Sequence, residues 1–290
     1  MPWHAIEQAI CQATNTRFSI QDRSPISGGC INQAFLIGDA QQRFFVKTNH
    51  ANLSSMFEAE KAGLEEIQNS QSIKCPQPVT CGTSDQAAFL VLEYLDMGSA
   101  KINDELFGQQ LAKMHTHTSQ QFGWYRDNTI GSTHQNNQRS RDWISFWHRQ
   151  RLDFQLRLAA SHSHRLLPQG EKLLEALPLF FTNYQPRPAL LHGDLWSGNY
   201  SSLSDGTPVI FDPAVYYGDR ETDLAMTELF GGFSTRFYAA YNEALPLDVG
   251  YQTRKTLYNL YHILNHLNLF GNGYLSQSES MINALLAEIK

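Results

Sequence analysis

The chain has 290 residues and a mass of 32.9 kDa, with 42% hydrophobic and 17% charged residues and a net charge of 22 − 28 = −6. That apolar fraction fills a real core and excludes general disorder, and the length suits two modest domains or two lobes around a cleft. The acidic balance argues against nucleic acid or an anionic membrane as partner, and no apolar run approaches the roughly 20 residues of a membrane span. The start, Met1-Pro2-Trp3-His4-Ala5, lacks a basic region followed by an apolar stretch, so no secretory signal is expected. The four cysteines (Cys11, Cys30, Cys75, Cys81) form no C-x-x-C pair and suit a reducing cytoplasm.

In chain order, the first glycines of note are in Ser27-Gly28-Gly29-Cys30-Ile31-Asn32, which precedes a β-rich run over 33–37. A second run over 43–47, separated from the first by Gly38-Asp39-Ala40, predicts a hairpin. Apolar residues at Phe57, Leu64 and Ile67 predict a helix over 57–68, and Ser55 with Glu58 reads as a capping box that starts it near Met56. Residues 88–94 form another β-type run. Beyond Asp96-Met97-Gly98-Ser99, helical patterns dominate: 103–117, 141–159, 169–184, 223–243, 251–270 and 279–289, interrupted by short strands over 189–192 and 208–212. The expected architecture is α+β: a small antiparallel-sheet lobe over 1–95 and a mainly helical lobe over 96–290.

The strongest chemical signal is His192-Gly193-Asp194-Leu195-Trp196-Ser197-Gly198-Asn199, followed by Val209-Ile210-Phe211-Asp212. This order is that of a kinase catalytic loop and a metal-binding aspartate, which predicts a two-lobed protein-kinase-like fold. Phosphoryl transfer from ATP needs positioning and charge neutralisation. One carboxylate, Asp194, takes the proton of the attacking hydroxyl, while Asn199 and Asp212 offer oxygen ligands to Mg²⁺. Such a site also needs a strand lysine paired with a helix glutamate. Lys47 ends its strand, and Glu60 falls on the apolar stripe of its helix, where an unpaired carboxylate is costly. Gly28 and Gly29 would let backbone N–H groups approach phosphates, and main-chain groups of Glu93 and Leu95 would meet the adenine edge. Asp223 either caps the next helix or braces the catalytic loop by accepting backbone N–H bonds. Cys30, inside the glycine run, is a candidate redox handle. His262 and His266 have the i, i+4 spacing of a metal pair but lack the glutamate of H-E-x-x-H, so a zinc site is not expected, and no G-x-S-x-G hydrolase signature occurs.

The segments SGGCIN (27–32), FFVKTN (44–49), FEAEKAGL (57–64), FGWYRDNTIGSTHQNN (122–137), LLHGDLWSGN (190–199) and FDPAVYYGDRETDLAM (211–226) resemble the fructosamine kinase (ketosamine-3-kinase) family, within the aminoglycoside-phosphotransferase branch of the kinase-like superfamily. The resemblance implies ATP- and Mg²⁺-dependent phosphorylation of the 3-hydroxyl of a ketosamine, free or on a glycated protein lysine. The 3-phosphate then leaves easily, so deglycation is the implied role, with ribulosamines the implied preference of bacterial-type members. It also implies Asp194 as base, Asn199 and Asp212 as Mg²⁺ ligands, and Lys47 with Glu60 on the phosphates. Trp196 could border the sugar or simply pack the loop, and the polar Asp127-Asn128-Thr129 and Gln135-Asn136 are characteristic of the family. The alternatives are a kinase of another hydroxyl substrate, such as an aminoglycoside or amino alcohol, and an inactive kinase-like nucleotide-binding module. Neither oligomeric state, monomer or dimer, is favoured by the sequence.

Overall fold

The computed structural model describes residues 2–26, 31–98 and 100–289. The chain divides into two compact units, residues 1–103 with 201–213, and residues 104–200 with 214–290. A single cut after residue 95 therefore does not describe the packing. Residues 201–213 return to the first unit because the Ile210 amide donates to the Lys74 carbonyl (3.0 Å), Lys74 bridges Val209, and Met97 bridges Leu203.

The first unit opens with helix α1 (Trp3–Thr14), followed by strands β1 (Asp22–Ile26), β2 (Gln33–Gly38) and β3 (Arg43–His50), helix α2 (Ser54–Asn69), and strands β4 (Pro78–Thr83) and β5 (Ala87–Glu93). The strands form one antiparallel sheet in the order β1-β2-β3-β5-β4. The expected hairpin is present, with Ala34 opposite Lys47. Ile6 and Ile10 of α1 join Phe44, Val46, Phe89 and Val91 in one core on one face of the sheet. Alternation along a strand then puts Lys47, next to Val46, on the other face. α2 is the predicted helix, but the Ser55–Glu58 capping box does not form its start. A 3₁₀ turn over Ala51–Leu53 runs straight into the helix, which begins at Ser54 with Leu53 at the cap position and no side-chain cap. Ser55 is already inside the first turn, where its backbone is helical rather than extended.

The second unit is mainly helical: α3 (Asp104–His115), α4 (Trp143–Trp147), α5 (Asp153–Ala159), α6 (Leu166–Ala176), α7 (Glu221–Leu229), α8 (Thr235–Ala244), α9 (Tyr251–Phe270) and α10 (Leu275–Glu288). The expected helix over 141–159 starts where Asp142 accepts the Ser145 amide (2.7 Å), but a π turn over His148–Leu152 separates α4 from α5. The expected helix over 223–243 is two helices. Gly231 and Gly232, at φ +101° and +70°, break it, and the Ser234 hydroxyl caps α8 at the Phe237 amide (3.2 Å). Strand Ala189–Leu191 pairs antiparallel with Tyr216–Gly218, and Asn128–Ile130 pairs with Thr133–Gln135. Among the described residues, no helix is long and apolar enough to cross a membrane.

α3 and α8 pack through Gly108: a Cβ there would lie 2.3 Å from the Phe237 carbonyl oxygen and 2.9 Å from the Tyr241 nitrogen. Both neighbours are backbone, so the helices themselves must separate to admit a methyl group. Gly108→Ala should therefore lower stability by about 1–3 kcal/mol, against the small gain in helix propensity that alanine brings. An unshifted urea midpoint would show that the helix pair has room after all.

Candidate active site

In the first unit, α2 brings Glu60 to the face of the sheet that carries Lys47. The Lys47 ammonium donates to Glu60 Oε1 at 2.5 Å and to Asp212 Oδ1 at 2.6 Å. Burial alone would pull Lys47 down, but the Asp212 and Glu60 carboxylates outweigh it and hold the group above its ordinary value. Glu60 is pushed up by burial and by Asp212, against the pull of Lys47. One cation thus serves two carboxylates. The two differ in access: the Glu60 side chain is 10% exposed and that of Asp212 is 47% exposed. Asp212 adopts φ +58°, a left-handed conformation uncommon outside glycine, just after strand Pro208–Ile210. At the end of β5, the Glu93 amide donates to the Gln77 carbonyl (2.8 Å) and the Leu95 carbonyl accepts from Met97 (2.8 Å). Those bonds do not use the Glu93 carbonyl or the Leu95 amide, an acceptor and a donor of the kind an adenine edge requires. The Glu93 carboxylate instead ties Lys74 (3.0 Å) and the Gln77 amide (2.7 Å). Gly28, Gly29 and Cys30 lie outside the described residues.

In the second unit, strand Ala189–Leu191 delivers His192-Gly193-Asp194. Gly193 sits at φ +82°, and a Cβ there would lie 2.2 Å from the Ala214 carbonyl oxygen, so the turn admits only glycine. The Asn199 side-chain amide donates to the Asp194 carbonyl (2.8 Å) and to Asp194 Oδ2 (3.1 Å). Its nitrogen is therefore fixed on Asp194, and Oδ1 is the end left to act as a ligand. Trp196 is not a core residue: it is 37% exposed, its ring lies over Gly198, and its edge meets Phe230.

Asp223 settles the choice between cap and brace. It sits inside α7, and Oδ2 accepts the His192 amide (2.7 Å) while Oδ1 accepts the Gly193 amide (2.8 Å). His115 Nε2 donates to Oδ2 (3.1 Å), and its Nδ1 meets the Tyr241 hydroxyl (2.7 Å), which also accepts from Arg220 (3.1 Å). Burial opposes the charge on Asp223, but His115, His192 and the Gly193 amide outweigh it and hold the carboxyl below its ordinary value.

Asn128 and Gln135 form a buried clamp on the backbone that follows Asp212 and Pro213 in the chain. Asn128 donates to the Val215 carbonyl (2.8 Å), and Gln135 donates to the Ala214 carbonyl (3.2 Å) and accepts from Tyr261 (2.7 Å). Asn137 donates to Asn128 (2.8 Å), and Arg151 donates to Asn137 Oδ1 (2.8 Å) while its guanidinium stacks 4.1 Å over Tyr216. The π turn in the α4–α5 segment is the stretch that carries Arg151. His115, Tyr241 and Arg151 escaped the sequence reading. A histidine on the apolar face of α3 was the one available signal for the first; the other two sit in ordinary helical patterns. Among the described residues, no group of three or more His, Cys, Asp or Glu side chains gathers to hold a metal. Mg²⁺, which takes one or two carboxylates plus phosphate oxygens, needs no such group.

The two units are those of a kinase-like fold, which the chain shares with solved aminoglycoside phosphotransferases and a choline kinase, where identity falls to 13–14% and the likeness is of fold alone. A family profile described as fructosamine kinase matches residues 2–288, and the chain belongs to that family. A "probable ketoamine kinase" of Synechocystis is 48% identical over 288 residues, covering 98% of this chain and 97% of the relative. A chloroplastic protein-ribulosamine 3-kinase of rice (Oryza sativa subsp. indica) is 42% identical over 272 residues, covering 92% and 79%. The solved structure of a candidate fructosamine-3-kinase from Haemophilus somnus superposes with a TM-score of 0.90 at 30% identity, covering 98% and 97%.

Asp223→Asn should destabilise the protein by about 2–3 kcal/mol near neutral pH, because the amide has one accepting oxygen for donors that need two and turns an NH₂ towards another donor. A folded-state value held below the ordinary one makes Asp223 stabilising above about pH 4, and that contribution fades as pH falls through the lower value. The gap between wild type and variant should shrink accordingly in acid; denaturant titrations at pH 7 and pH 3 check both halves.

Proposed function

We propose that the protein is an ATP-dependent ketosamine 3-kinase, acting on ribulosamine-type adducts of amines, including lysines of glycated proteins, and so serving deglycation. Family membership gives the reaction class. The observation that carries the residue roles is the pair of hydrogen bonds that the Asn199 side-chain amide donates to the carbonyl and the carboxylate of Asp194, which orients a base and leaves an amide oxygen for a hard cation.

Asp194 accepts the proton of the substrate 3-hydroxyl as its oxygen attacks the γ-phosphorus of ATP. The new O–P bond forms as the bond to the β-phosphate oxygen breaks, and ADP leaves with that electron pair. Asn199 and Asp212 would hold Mg²⁺, which when bound neutralises charge on the phosphates. Asp212 is exposed enough to exchange its ammonium partner for a metal. Buried Glu60 keeps Lys47 in place to grip the phosphates. Gly28 and Gly29 would cover the phosphates, the Glu93 carbonyl and Leu95 amide would read adenine, and Trp196 would border the sugar. Cys11, Cys75 and Cys81 are thiols rather than disulfide halves, which suits the cytoplasm as its compartment.

The test is ATP consumption across ribulosamine, fructosamine and aminoglycoside substrates. Turnover of ribulosamines above the others is expected, whereas turnover of aminoglycosides alone would overturn the reading. Asp194→Asn should lower kcat by about 10²–10⁴-fold while nucleotide binding survives, because the amide keeps the shape but accepts no proton. Wild-type turnover in this variant would remove Asp194 from the chemistry.

A further inference from the structure

Strand β3 carries a second polar side chain beyond Lys47. Alternation puts Asn49, two positions on, on the same face of the sheet. The ladder between β2 and β3 stops at Gln33 opposite Thr48, so Ile31 and Asn32 lie beyond its last pair. The Asn49 side chain reaches across that gap. Its Nδ2 donates to the Ile31 carbonyl (3.0 Å) and to Asn32 Oδ1 (2.8 Å), and its Oδ1 accepts the His50 amide (2.8 Å). The partners fix which end of the amide is which: a carbonyl only accepts and a backbone N–H only donates, so the nitrogen faces Ile31 and the oxygen faces His50.

Ile31 and Asn32 follow the glycine run directly in the chain, so the run rejoins the sheet through them. A loop that offers backbone N–H groups to phosphate oxygens cannot also spend them on a strand partner. The ladder must therefore stop where such a loop ends, and something other than a ladder must fix that end. A side-chain amide suits the task because it takes a carbonyl: the bond to Ile31 uses no N–H of the loop's exit. The anchor and the lysine share one strand with a single residue between them, and β3 is paired on both sides, by β2 and by β5. The exit of the glycine run and the Lys47 ammonium are thus referred to the same rigid element.

We propose that Asn49 is a positioning residue for the nucleotide phosphates: it latches the exit of the glycine run to β3 through Ile31 and Asn32, and so keeps the run's N–H donors in register with Lys47. It acts through the loop and touches no reacting atom. This rests on the ATP-kinase reading and adds to it the side chain that couples the phosphate cover to the lysine strand. The role is one of phosphate binding and leaves the base alone. Glu93 and Leu95, assigned to adenine, lie at the end of β5 and just beyond it, and the bonds of the Asn49 side chain go to Ile31, Asn32 and His50.

The test measures Kd for MgATP and for adenosine in wild type, Asn49→Ala, Asn32→Ala and the double variant, with KM for ATP and kcat on a ribulosamine beside them. Asn49→Ala should weaken MgATP about three- to tenfold, the loss expected for one or two hydrogen bonds, while adenosine stays within about twofold. KM for ATP should rise by a similar factor, with kcat changed less. Asn32→Ala removes one of the two acceptors and leaves the bond to Ile31, so it should lose less. The double variant should be no worse than Asn49→Ala, because both residues serve one latch. A merely structural role would weaken adenosine and MgATP alike. An unchanged ratio of the two affinities in Asn49→Ala, or in Asn32→Ala should the first variant not fold, would overturn the latch while sparing the kinase reading. A wild type that binds no MgATP would overturn both.

Discussion

The arrangement of the second unit hangs on one carboxylate. Asp223 accepts the amides of His192 and Gly193, the two residues that turn the chain from strand into the loop that carries Asp194. A loop cannot hold its own geometry by ladder bonds, and a left-handed glycine at its apex favours an open chain in the unfolded state. The turn is kept because two backbone donors point at one buried anion, and that anion is itself held by His115. Every member is paired, which is the condition under which a buried polar network stabilises rather than penalises.

The same logic repeats around the clamp formed by Asn128 and Gln135. Amides have both donors and acceptors, so a short hairpin carrying them can satisfy irregular backbone where no strand partner exists. Here they take up the carbonyls of Ala214 and Val215, and Arg151 closes the set from a π turn. The polar run around residues 127–137 thus has work inside the fold, which accounts for its composition without requiring Asn128, Gln135 or Asn137 to touch substrate: all three are buried.

What could be read from the sequence follows from how local each signal is. The hairpin of β2 and β3, helix α2 and the twenty residues of α9 were legible because hydrophobic period and turn residues lie within the segment itself. Glu60 was legible as a partner for Lys47 because a carboxylate on an apolar stripe demands one. The Ser55–Glu58 box failed because the chain enters α2 from a 3₁₀ turn, a tertiary circumstance that a four-residue pattern does not encode. The break between α7 and α8 was written in Gly231-Gly232 but was outweighed by the apolar period on either side. The return of residues 201–213 to the first unit depends on pairing with Lys74 and Met97, more than a hundred positions away, and nothing local announces it. His115 and Arg151 act through partners distant in sequence, so their types alone say little.

The charge balance of the first unit's cluster has a further consequence. Lys47, Glu60 and Asp212 together carry one positive and two negative charges, in a place where Lys47 and Glu60 are nearly dry. An excess of one negative charge is unfavourable at low dielectric, and the Asp212 charge adds to the burial that chiefly pushes Glu60 up. Protonating Glu60 would relieve the excess but weaken its hold on Lys47. Bringing a second cation to Asp212 relieves it while leaving the Lys47–Glu60 pair whole. Of the two carboxylates, the half-exposed one with the left-handed backbone is the one a cation from solvent can reach. The cluster is therefore short of positive charge at the one position where a metal-binding aspartate is expected, a property of its composition and burial rather than of its resemblance to any relative.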